Sequence, residues 1–110
     1  RSFPPVVVGD FNADPDADEI RYMKGLTGLG GRYVYFADAF GVAGDGSPGA
    51  TFSKKNPFAE PMREPERRID YVFVRDLIVE RHVIEDPRVD GRFVSDHLPV
   101  VVQVRFAAAL

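Results

Sequence analysis

Two runs of three valines, Val6-Val7-Val8 and Val100-Val101-Val102, lie near opposite ends of this 110-residue chain. Branching at Cβ restricts χ1 and suits a pleated surface, so both runs are predicted strands. The first run ends at Gly9-Asp10, and an unbroken apolar run before a turn predicts a strand covered on both faces. Such a strand is an odd opening for a whole domain. We therefore expect a truncation before residue 1, with residues 1–110 forming one segment of a larger domain.

The last third reads as β structure: strands over 68–74 and 77–84, turn residues over 86–92, and a closing strand over 99–106. A helix is expected from about Asp16, with Asp14 as N-cap, Pro15 at the first helical position and Gly25 closing it. Ala17, Ile20 and Met23 recur at helical spacing. Residues 33–40 are predicted as a short helix ending near Phe40. Residues 41–50 hold four Gly and one Pro and read as a loop, 50–53 as a short strand, and 54–66 as a long surface loop. One good helix among several strands gives an α+β class.

Composition narrows the chemistry. The chain has no Cys, which excludes disulfides, cysteine zinc sites and a thiol nucleophile. No run approaches the ~18 apolar residues of a membrane-spanning helix. With 14 Lys+Arg against 17 Asp+Glu, the net charge of −3 offers no basic footprint for coating a nucleic-acid backbone. Any phosphate recognition must be local or metal-assisted.

Four clusters carry chemistry. Asp10 and Asn12, two residues apart, share a face of an extended segment. Asp10 can accept a proton or bind a metal, and Asn12 can donate to an oxyanion; equally, the pair can satisfy a local turn. Asp70 lies inside an apolar strand and needs a partner. Either Arg67 or Arg68 neutralises it, or it holds an imidazole in one tautomer. His97, after Ser95-Asp96, is the better acid/base candidate; His82 sits in an alternating segment and is expected to face solvent. The loop from Lys54 to Arg68 has Lys54, Lys55, Arg63, Arg67 and Arg68 against Glu60, Glu64 and Glu66, a local +2. It is a solvated loop or a phosphate clamp. A calcium-loop reading of the acids from Asp10 onward fails, because its sixth position is Pro15 and its twelfth Arg21.

In this order, Gly9-Asp10-Phe11-Asn12, Arg68-Ile69-Asp70-Tyr71 and Ser95-Asp96-His97-Leu98-Pro99 resemble the endonuclease/exonuclease/phosphatase superfamily, with its deoxyribonuclease I-like fold. The resemblance covers essentially the whole chain, matched to the C-terminal half of a family domain. It implies half of a four-layer α/β/β/α sandwich and metal-dependent hydrolysis of a phosphate ester. It implies that Asp10 orients or deprotonates the attacking water and that Asn12 binds phosphate oxygens. Asp70 would orient His97, which contacts the scissile phosphate. Asp96, with Asp10, would hold Mg²⁺ or Mn²⁺; Lys54 and Arg68 join Asn12 as substrate-binding candidates. A Glu, a second His and an Asn from the first half of such a domain are absent from these residues, so weak or no activity is expected of the chain alone. An inner sheet face bearing Val6, Val8, Val72, Val100 and Val102 would be covered by that first half or by a second copy. The competing reading is a non-catalytic interaction or scaffold module of the same fold.

Overall fold

The computed structural model describes residues 3–52 and 66–107. Its elements are β1 (Val6–Asp10), α1 (Asp18–Met23), β2 (Ala37–Asp38), α2 (Ala39–Ala43), β3 (Asp70–Val74), β4 (Leu77–Ile84), β5 (Arg88–Val89), β6 (Arg92–Phe93) and β7 (Val100–Phe106). All pairings are antiparallel, in sheets ordered β1-β3-β2, β4-β7 and β5-β6. Mostly antiparallel sheet with two short helices is the expected α+β class.

β3 is the middle of its sheet and is covered on both faces. Tyr71 and Phe73 pack with Ala13 and Ile20 on one side; Val74 packs with Ala39 and Val79 on the other. β1 lies at the edge. Its Val7 turns toward the first cluster, while Val6 and Val8 are 48% and 63% exposed, which corrects the expectation of two-sided cover for this run. The cause is layering: Val74, opposite Val6 in the ladder, packs with Ala39 of α2 and Val79 of β4, and that cluster does not include Val6 or Val8. Of the other valines expected on a bare face, Val72, Val100 and Val102 are half-buried, and Val72 and Val102 pack on the second cluster.

Helix α1 begins at Asp18 with Ala17 as N-cap, two residues later than expected, and no side chain caps it. The Asp14 carboxylate, expected to cap it, accepts from Arg67 Nε at 3.2 Å instead. Its end is as expected: Gly25 sits at φ +74°, its N–H donates to the Tyr22 carbonyl, and Leu26 N–H donates to that of Arg21. That pair of bonds is a Schellman closure, which favours glycine at the left-handed position.

Residues 33–40 do not form the expected helix. Ala37 and Asp38 add a short strand to β3, and α2 starts only after Asp38, whose carboxylate accepts the Phe40 N–H at 3.2 Å. The loop therefore opens at Gly44. Phe52 forms an isolated bridge with Arg67 rather than a strand. Ser53 and the predicted loop through residue 65, with Lys54, lie outside the described residues. β4 matches its expected span, but its register shifts between Val79 and Arg81. The extra residue flips the alternation, so His82 packs edge-on to Phe40 at 5.1 Å instead of facing solvent. Burial holds its imidazole below the ordinary value.

Candidate active site

Backbone register brings the first two acids together. Asp10 ends β1 and Asp70 begins β3, directly opposite each other in the antiparallel ladder. Like charges facing across two strands repel, so the pair calls for a positive or hydrogen-bonding group between them. His97 fills that role. Its Nδ1 lies 2.8 Å from Asp70 Oδ2, and its Nε2 lies 3.7 Å from Asp10 Oδ2. An ionised carboxylate only accepts, so Nδ1 carries the proton shared with Asp70 and Nε2 faces Asp10.

The surroundings of His97 oppose one another. Partial burial disfavours its charged form, but the hydrogen bond and charge of Asp70, with the charges of Asp96 and Asp10, hold the imidazole above its ordinary value. Its ring also packs on Phe52, with centroids 5.6 Å apart. Asp10 and Asn12 form the local turn foreseen as one alternative: Asn12 N–H donates to Asp10 Oδ1 at 2.8 Å, and Asn12 takes φ +48°. The second oxygen of Asp10 still faces the imidazole, so turn and site use different atoms of one carboxylate. Tyr71 steadies this corner. Its hydroxyl donates to the Ala13 carbonyl at 2.7 Å, with the Arg68 carbonyl at 2.9 Å.

Two expected residues stand apart. Arg68, expected to meet substrate, is 8% exposed and makes a bidentate pair with Asp38 at 3.2 and 2.9 Å. Its guanidinium lies over the rings of Phe40 and Tyr71, 4.6 and 4.8 Å from their centroids, so it is spent on the interior. The Asp70 question is thereby answered by His97 and not by Arg68. Asp96 is exposed and accepts from the Ser95 hydroxyl at 3.3 Å. Among the described residues, the acid–imidazole group able to hold a metal ion is Asp10, Asp70 and His97, whose ligand atoms lie within 4.8 Å of one another, without Asp96.

Sequence reasoning missed Thr51. It is 1% exposed, and its hydroxyl donates to Asp70 Oδ2 at 2.6 Å. A threonine in a short apolar stretch reads only as strand-forming, so no local signal marks it. The site opens into a cleft of about 330 Å³ walled by Val8, Val72, Val94 and Val100 with the three site residues at its polar end.

The model of the Endonuclease/Exonuclease/phosphatase family, a family of nuclease- and phosphatase-type hydrolases that generally use divalent metals, matches residues 1–97. No curated protein matches the chain. The crystal structure of a functionally unknown conserved protein from Enterococcus faecalis V583 is similar over 96% of this chain, with 27% identity and a TM-score of 0.70. The present chain spans 37% of that protein's length. With the order of its motifs and the convergence of Asp10, Asp70 and His97, the chain belongs to the endonuclease/exonuclease/phosphatase family.

Proposed function

We propose that this chain supplies most of the catalytic side chains of a divalent-metal-dependent phosphoesterase. The observation that carries the reading is the approach of both His97 nitrogens to carboxylates 27 and 87 positions away, those of Asp70 and Asp10, at 2.8 and 3.7 Å. In-line displacement at phosphorus needs a positioned water, neutralised phosphate oxygens and a protonated leaving group. Asp10 Oδ2 orients the water and takes its proton as the new P–O bond forms. His97, kept protonated by Asp70, gives its Nε2 proton to the departing oxygen as the old P–O bond breaks. The Asn12 amide donates to a non-bridging oxygen.

The donor chemistry fits a hard cation. Magnesium and manganese accept one or two carboxylates and retain water, and Asp10 is 39% exposed at its side chain. Asp70 is less suited, because one of its oxygens already takes Thr51 and His97. Asp10 would hold the ion, with Asp96 adding negative charge nearby. When bound, the cation neutralises charge on the phosphoryl group.

The test is hydrolysis of a chromogenic phosphodiester with Mg²⁺ or Mn²⁺, by the 110-residue chain and by a complete domain containing it. We expect turnover in the complete domain, weak or no turnover from the chain alone, and losses of at least about 100-fold for Asp10→Ala and for His97→Ala. Activity that survives both changes sinks the proposal and favours a non-catalytic module. The acidic balance of the chain disfavours tight, sequence-independent DNA binding, and the substrate class is open to a panel of DNA, inositol phosphate, nucleotide and lipid-headgroup esters.

A further inference from the structure

We infer that Thr51 is a positioning residue, fixing the Asp70 carboxylate against the His97 imidazole. The inference deepens the phosphoesterase reading and rests on it for its kinetic consequences only. Four hydrogen bonds define the residue's place. Ile69 N–H donates to Thr51 Oγ1 at 3.3 Å, and Thr51 Oγ1 donates to Asp70 Oδ2 at 2.6 Å. The Thr51 N–H donates to the Arg67 carbonyl at 2.9 Å, and Leu98 N–H donates to the Thr51 carbonyl at 2.8 Å.

These bonds divide into two tasks. The amide of Ile69 occupies a lone pair of the hydroxyl, which leaves the hydroxyl proton to be aimed elsewhere, and Asp70 Oδ2 receives it. The same oxygen receives Nδ1–H of His97. A carboxylate on a strand can rotate about χ1 and χ2; two donors on one oxygen hold it in a single orientation. Meanwhile the backbone of Thr51 grips Arg67 on the approach to β3 and Leu98 next to His97. One residue thus sets both the rotamer of Asp70 and the separation of the two segments that carry Asp70 and His97. Burial at 1% exposure removes water as a substitute donor. The branched Cβ adds stiffness at χ1.

Three variants test this: Thr51→Val, which keeps the shape and removes the hydroxyl; Thr51→Ala, a smaller version should valine fail to fold; and Thr51→Ser, which keeps the hydroxyl. The first readout is the hydrogen-bonded Nδ1–H proton of His97 in NMR spectra of the 110-residue chain, assigned by its loss in His97→Gln. It should persist in the unaltered chain and in Thr51→Ser, and broaden or vanish in Thr51→Val and Thr51→Ala. A signal unchanged in Thr51→Val or Thr51→Ala, or absent from the unaltered chain, overturns the inference. The second readout is turnover of the phosphodiester by the complete domain. Loss of the hydroxyl should lower kcat roughly 10- to 100-fold, the range for groups that orient a ligand or base from behind it. KM should stay within about twofold, as for an interaction realised in the transition state. In an Asp70→Ala background Thr51→Val should cost nothing further; an equal loss in both backgrounds shows a merely structural threonine and overturns the inference. The proton signal needs no turnover, so a chain that hydrolyses nothing still tests Thr51, and failure of the phosphoesterase reading is distinguished from failure of this one.

Discussion

Asp10 uses its two oxygens separately, one on the Asn12 amide at 2.8 Å and one toward His97 at 3.7 Å. The Asp-x-Asn spacing allowed a local turn or a functional pair; the turn forms through one oxygen and leaves the other facing the imidazole. The glycine before it is also explained. Gly9 takes φ +150°, a conformation that side-chain-bearing residues rarely adopt, and an added Cβ would meet no atom within 4 Å. The cost of Gly9→Ala is therefore torsional, about 1–3 kcal/mol, and should appear as a lowered urea midpoint at unchanged m. His97 gives a pH signature. With its folded pKa above the ordinary ~6.5, the imidazolium persists to higher pH than in a free histidine, and activity should fall as pH rises through that folded value. Asp70→Asn removes the charge that holds the proton, so the alkaline limb of kcat/KM should move to lower pH; an unmoved limb assigns it to another group. Thr51 and the Arg68–Asp38 pair were illegible for one reason: their partners are 19 and 30 residues away, and spacing at that distance carries no geometry.

At the scale of elements, β3 organises the molecule. It was read correctly as a strand from its Ile-Asp-Tyr-Val-Phe-Val run, and β4 was read to the residue. What failed was position within the sheet. A valine triplet has the same local preference at an edge as in the centre, and only the packing of α2 and β4 over β3 decides which strand is covered. Asp38 joins two elements to β3, capping α2 through Phe40 while pairing with Arg68. Both charges are nearly buried, with side chains 8% and 6% exposed for Arg68 and Asp38. Asp38→Ala would strand a buried guanidinium and should cost about 3–5 kcal/mol in denaturant unfolding. Replacing both, as Asp38→Leu with Arg68→Met, should cost clearly less than the single change, because no charge is left unpaired. The bulge in β4 was equally invisible, and it alone turned His82 inward.

For the whole molecule, an apolar margin is left uncovered. Val6 and Val8 on β1 are joined by Val104, 38% exposed, and Phe106, 61% exposed, with Phe3 and Phe106 rings 6.2 Å apart. We propose that this margin is an interface, filled by further chain of the same domain or, when the 110 residues stand alone, by a second copy. Light scattering at micromolar concentration should then give a mass above one chain, and Val8→Lys or Phe106→Lys, at exposed positions, should return it to one. A monomeric chain with a cooperative melt contradicts the proposal. The sequence by itself determined the strand-rich class, the closing of α1 at Gly25, and which polar residues were candidates, because side-chain branching, capping and turn preferences act over a few neighbouring residues. Tertiary structure alone decided which of those candidates met. Register set Asp10 opposite Asp70, and a hydrogen bond from Leu98 to Thr51 brought His97 to both, since charge and hydrogen bonding act through space at a few ångströms whatever the distance along the chain.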